Sequence, residues 1–169
     1  MLFFLRYVLL LFSMLFLQIF VLKHIEIANG SQFFILPLFL MILPFQINVF
    51  VLMLVGFGTG IIVDSFSNTI GLNASSLVLV AYLRPIIFNY FPPREGYDPL
   101  KLPTIPHMGW WWFSKTYMIL LLLHCLWFFA MEIFRFSDGV LIMRNTLYSL
   151  LPSFFAALVI NLFSKRPKA

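Results

Sequence analysis

VGFGTGIIVDSFSNTIGLNASSLVLVAYLRP, residues Val55 to Pro85, is an apolar run broken once by polar residues. Gly56, Gly58 and Gly60 thin its first half, a carboxylate follows at Asp64, and Ser65, Ser67, Asn68 and Thr69 make a polar turn before a second apolar run begins at Ile70. Two apolar runs about a polar turn read as a helical hairpin. Gly56, Gly60 and Asp64 fall at i, i+4 and i+8 and so share one helix face, whereas Gly58 lies about 200° from Gly60 around the helix. In lipid, a face of small residues lets a neighbouring backbone approach closely. Packing within the chain and contact with another protein are both open readings of that face. The GxGxG string is not a nucleotide loop, because it ends an apolar segment and lacks both the last glycine of the fingerprint and a βαβ context.

The composition places the hairpin in a bilayer. Of the 169 residues 62% are hydrophobic and only 10% charged, and mean hydropathy is +1.00, far from the usage of a soluble domain. At about 20 residues per spanning helix the chain has room for about five or six spans with short loops, so one polytopic domain over residues 1–169 is expected. The formal charge of +5 reads as orientation in a membrane and not as nucleic-acid binding, since the basic residues are scattered at segment ends. The single Cys125 excludes an intrachain disulfide, a CxxC motif and a thiolate metal site.

Six segments are expected, at about 2–22, 33–43, 46–63, 70–90, 113–130 and 140–163. The first is long for a signal-peptide core and has no convincing cleavage site after it, so it reads as a retained helix. The second is interrupted by Pro37 and closed by Pro44. As helix its eleven residues give only about 16 Å, and a re-entrant path, a tilted span and a short span inside a bundle are all open. The fourth carries Gly71 and Ser75 four apart, with Asn73 and Ser76 nearby, which suits an interhelical seam. A proline-punctuated loop, Pro92 to Met108, follows, and Trp110, Trp111 and Trp112 with Lys115 form an interfacial belt before the fifth segment. Pro152 predicts a kink in the sixth.

A carboxylate at mid-bilayer is costly, by about 2.5–3.5 kcal/mol on insertion scales, and far less so at a helix end. Asp64 therefore reads as a cap for the next helix, as a partner contact, or as an ion- or proton-coupling group. Arg84 is not its salt-bridge partner: it lies about 21 Å along the helix from Ile70, near the opposite face. His124 and Cys125 adjoin without a second ligand pair at metal spacing, so no metal or cofactor is expected. Asp64, His124 and Glu132 stand in separate segments with no paired-carboxylate or serine–histidine arrangement, so no enzyme is expected. Six segments put both ends on one side, and Arg6, Arg84, Arg94, Lys101, Lys115, Lys165, Arg166 and Lys168 against Lys23, Arg135 and Arg144 make that side cytoplasmic. The expected topology is N-in and C-in.

The spacing G-x-x-x-D-x-x-x-x-x-x-G-L through Gly60, Asp64, Gly71 and Leu72, followed by an Ala/Ser-rich helix, resembles the bacterial rod shape-determining protein MreD family, as does the stretch REGYDPLKLPTIPHMGWWWF. The resemblance covers most of the chain. It implies an all-α six-helix transmembrane bundle and a non-enzymatic scaffold in the inner membrane, a subunit of the wall-elongation machinery. Its implied partner is the single-span protein MreC, and through it the glycosyltransferase RodA, an elongation transpeptidase and MreB filaments. The family is similar in architecture to the substrate-binding subunits of energy-coupling-factor transporters, which supplies an alternative function of small-solute binding. Against that alternative, the first helix has no alanine or glycine from Met1 to Leu22, where those subunits dock their energising partner through small residues. Gly56, Gly60, Asp64, Gly71, Asn73, Ser75 and Arg84 are the candidate packing or interface residues.

Overall fold

A chain this apolar satisfies its backbone by internal hydrogen bonding, and it does so with helices. The computed structural model describes residues 2–25, 30–93, 96–97, 102–134 and 138–162, and among them the regular elements are all helical. α1 (Leu2–Phe16) continues through a π-helical turn, Leu17–Val21, and a 3-10 turn, Leu22–His24. Then come α2 (Leu36–Ile42), α3 (Val49–Ser67), α4 (Leu72–Tyr90), the single turn α5 (Ile105–Met108), α6 (Trp110–Ile133) and α7 (Gly139–Leu162). Four of them, α3, α4, α6 and α7, are long and apolar enough to cross a membrane. Arg94, Lys101, Arg135, Lys165, Arg166 and Lys168, on which the orientation argument partly rests, lie outside the described residues.

Several boundaries differ from the sequence reading for local reasons. α3 begins at Val49 and not at Gln46, because the Asn48 side chain accepts the Phe50 amide at 2.9 Å and so fixes the first turn. It runs on to Ser67, where Asn68 closes it in the left-handed region at φ 55°. Asp64 therefore sits in the last turn of α3 and does not head the polar turn. The three tryptophans are the first turn of α6, not a preceding belt: Trp111 is exposed, while half-buried Trp112 donates its indole N–H to the Phe91 carbonyl at 2.7 Å. α7 continues through Pro152.

The second segment is where the bundle is centred. Only seven residues are helical, beginning with Pro37 in the first turn, where a missing N–H costs nothing. Phe34 to Leu43 are all buried, and α2 packs against α1, α3, α4 and α6. Phe34 alone meets the rings of His124, Phe128 and Phe129 at 4.7, 4.9 and 6.1 Å. Its non-helical part, Ser31 to Phe34, extends the reach, since extended chain rises about 3.3 Å per residue against 1.5 Å in a helix. One end of the segment is bonded to α7 at Ser149 and the other takes the Arg84 side chain near the end of α4. The segment thus joins the hairpin end of the bundle, where α3 turns into α4, to the opposite end. Outward faces stay apolar: Leu9, Phe12 and Phe16 of α1, Phe50, Leu54 and Phe57 of α3, and Leu147, Leu151 and Phe155 of α7 are exposed.

Candidate functional site

At the hairpin end the sequence motif becomes one packed unit. α3 and α4 touch at Gly60, where an added Cβ would stand 2.3 Å from Ala74 Cα and 2.5 Å from Ala74 N. One turn earlier, Gly56 faces the Leu77 carbonyl, with the same construction giving 3.0 Å, whereas Gly58 faces open space. One turn later, Asp64 is 5% exposed and accepts four hydrogen bonds. Oδ1 takes Thr69 Oγ1 at 2.6 Å, the Asn73 amide at 3.0 Å and Asn73 Nδ2 at 2.9 Å, and Oδ2 takes the Ala74 amide at 3.0 Å. Those two amides occupy the second and third positions of α4, the ones an N-cap side chain normally serves. The N-cap of α4 is Gly71, which has no side chain. Asp64 supplies the cap from the preceding helix.

Gly71 was expected on a packing face with Ser75. It has open space where a Cβ would stand and a φ of +75°, so its role is to make the left-handed turn and not the seam. Ser75 does reach a neighbour, accepting from the Trp127 indole at 3.3 Å. Arg84 lies far from Asp64, as its position along the helix requires. Its guanidinium donates to the carbonyls of Met41 at 3.2 Å, of Leu43, and of Pro44 at 3.4 Å. His124 is buried against Phe34 and Phe128.

Three residues that the sequence reading passed over hold the non-helical segment. On the α7 side, the amides of Gln32 and Phe34 donate to Ser149 Oγ and Ser153 Oγ, each at 2.9 Å. On the α1 side, Gln18 is turned inward by the π-helical turn; its Nε2 donates to the Phe33 carbonyl at 2.5 Å and its Oε1 accepts the Ile35 amide at 2.8 Å. The alternation of sides is that of an extended strand, with helical side chains replacing the neighbouring strands. Non-helical backbone inside an apolar bundle needs such partners, because no water is available to take their place. The only sequence signal was a polar stripe, Asn145, Ser149 and Ser153, at i, i+4 and i+8 of the last segment.

Over this clamp lies a cavity of about 450 Å³, lined among others by Gln18, Lys23, Ser31, Gln32, Thr69 and Asn73. Lys23 Nζ donates to the Phe66 carbonyl, closing the end of α3 with a cation. Much of that polar lining is already engaged, Gln18 with Phe33 and Ile35 and both Thr69 and Asn73 with Asp64. Among the described residues no group of three His, Cys, Asp or Glu is arranged to hold a metal.

No protein-family model, curated protein or solved structure matches this chain. A functional reading therefore rests on the residues and their geometry.

At the opposite end, Phe45, Phe88, Tyr97 and Trp112 form an aromatic cluster with ring separations from 4.7 to 6.4 Å. The Tyr97 hydroxyl donates to the Phe88 carbonyl at 2.6 Å. Burial pushes its phenol up to about 12, against the smaller opposing pulls of the Trp112 hydrogen bond and of Arg84.

Proposed function

We propose that this chain is a non-enzymatic membrane scaffold of the MreD type, acting in bacterial wall elongation by holding an MreC-like single-span protein and, through it, the synthetic enzymes and MreB filaments. What supports the reading is that the residues carrying the resemblance act together: Gly60 sets the approach of two helices, Asp64 caps the second, and Gly71 makes the turn that brings its amides to Asp64. On this reading the bundle has six crossings, the sixth being the mixed segment from Ser31 to Leu43, and it sits in the inner membrane with both ends in the cytoplasm.

The cavity above the clamp favours a second reading, a solute-binding subunit resembling those of energy-coupling-factor transporters, because its polar lining suits a small solute. Purification from the native membrane in mild detergent separates the two. Recovery of an MreC-like protein supports the scaffold, and recovery of a pair of ATPases instead refutes it. Orientation is tested after Cys125→Ser with cysteines at Ile70 and Trp111, both well exposed. An impermeant thiol reagent added outside is expected to label position 70 and spare 111; the reverse pattern overturns the N-in topology.

A further inference from the structure

Among the described residues Arg84 is the buried cation, 3% exposed. Three backbone carbonyls share its Nη2, and its Cζ stands 4.8 Å from the Phe88 ring centroid. These partners do not neutralise it. The carbonyl end of a helix supplies at most about half a negative charge, and α2 is a short helix. The described carboxylates, Asp64, Glu132 and Asp138, all stand at or near the hairpin end of their helices, the other end of the bundle. A guanidinium offers five donors in a planar fork, yet the Nε–H of Arg84 is buried with no partner among the described residues.

Arg84 also lines a cavity of about 220 Å³, together with Ile47, Leu52, Phe88, Asn89 and Tyr97. Its walls are apolar, the Tyr97 hydroxyl is engaged by a carbonyl, and exposed Asn89 offers an amide. The site lies where α3 begins and α4 ends, so its depth is that of lipid headgroups when the two helices span. On α3 the cavity is lined by Val49 and Leu52, in the first turn of the helix. A guanidinium without a carboxylate partner among the described residues, in a small cavity at headgroup depth, fits a phosphate oxyanion.

We propose that the Arg84 cavity is a phosphate-binding site, filled by the phosphodiester of a membrane phospholipid. The oxyanion completes the charge balance of Arg84, the Asn89 amide bonds it, and the acyl chains extend from it into the bilayer. Arg84 thereby links the end of α2, the end of α4 and one lipid.

The test uses the full chain, delipidated by detergent exchange. Native mass spectrometry with added phosphatidylglycerol is expected to show one retained phospholipid. Arg84→Gln lowers its occupancy by about tenfold or more, the loss expected for a charge-assisted hydrogen bond. Ile47→Trp narrows the cavity while leaving Arg84 and its carbonyl bonds intact, and it lowers occupancy likewise. Asn89→Ala, at an exposed position, gives a smaller loss. A second arm measures melting temperature with phosphatidylglycerol or inorganic phosphate alone. Protection by the lipid but not by inorganic phosphate supports the headgroup source; protection by inorganic phosphate that Ile47→Trp abolishes supports the site with a soluble anion in it. Retention of the lipid by both Arg84→Gln and Ile47→Trp overturns the proposal. So does absence of protection from either source, most directly if Glu95→Gln with Asp98→Asn then destabilises the chain as Arg84→Gln does, which assigns the counter-charge to the chain itself.

Discussion

Adding one methyl group at Gly60 tests the seam on which the hairpin depends. In Gly60→Ala the new Cβ would lie 2.3 Å from Ala74 Cα, and ordinary contact begins near 3.4 Å. The obstacle is backbone, so no rotamer change relieves it, and α3 and α4 must part by about 1 Å. Asp64 is one turn away on the same face, and its bonds to the Asn73 and Ala74 amides, now 3.0 Å each, would stretch beyond hydrogen-bonding range. Overpacking costs about 1–3 kcal/mol and a lost cap about 0.5–2 kcal/mol, against a gain of about 1 kcal/mol from replacing glycine within a helix. A net loss of about 0.5–4 kcal/mol is expected. Gly58→Ala, in open space, keeps the gain and none of the cost, so it should match or exceed the parent. Gly56→Ala, whose Cβ would meet the Leu77 carbonyl at 3.0 Å, should fall between. The three variants and the parent are compared by unfolding in one detergent, followed by tryptophan fluorescence. Equal stability of Gly58→Ala and Gly60→Ala would refute the close approach at Gly60.

Ser149→Ala and Ser153→Ala leave a part-buried and a buried amide, respectively, without its acceptor, a loss of about 1–3 kcal/mol with the larger share at Ser153; hydrogen exchange should quicken at Gln32 and Phe34, and unchanged exchange would count against the clamp. Ser65→Ala, at an exposed site where the hydroxyl bonds only the Ile61 carbonyl of its own helix, is the control and should be close to neutral. Asp64→Ala removes acceptors for four donors and should lower stability by more than about 1 kcal/mol. Partner recovery per folded molecule then separates roles: if recovery is unchanged, Asp64 acts as a cap alone, and if it drops, the turn it holds is part of the contact. In alkaline titration the difference between the parent and Tyr97→Phe should show a phenol that keeps its proton above pH 10 and releases it near about 12. Because the folded value is the raised one, Tyr97 leaves stability intact below pH 10 and lowers it as pH climbs towards 12. Titration of Tyr97 near 10 would show that it is not buried as described.

The hairpin was legible because its determinants are local. Gly56, Gly60 and Asp64 share a face by helical spacing alone, and a carboxylate beside a polar turn is a recognisable cap. What spacing could not reveal was which turn Asp64 closes. That followed from Gly71 taking the N-cap position without a side chain to fill the role. Arg84 was correctly set apart from Asp64 by the rise of the helix, but its engagement with the end of α2 depends on residues about forty positions away. The second segment was the least legible part, and for a physical reason. Its amides are satisfied by side chains 117 and 119 positions distant, so neither hydropathy nor length within 33–43 reports how it is held. Gln18 lay unnoticed within a long apolar run, since nothing local marks it as a partner for backbone fifteen and seventeen positions away.

The same geometry explains why the non-helical stretch is short. Ser149 and Ser153 are four residues apart on α7, a rise of about 6.0 Å, while the amides of Gln32 and Phe34 are two residues apart on extended chain, about 6.6 Å. Two rungs absorb that mismatch within ordinary hydrogen-bond tolerance, as the equal 2.9 Å distances indicate. Each further rung would add roughly 0.6 Å of drift, and a helix could not continue to serve the chain as a neighbouring strand does. The chain leaves the extended form just where the second rung ends. Gln18 takes the Ile35 amide, Leu36 and Pro37 open α2, and from there the backbone satisfies itself. A polar side chain on α1 is therefore needed at one level only, which is the level at which the π-helical turn presents Gln18 to the interior.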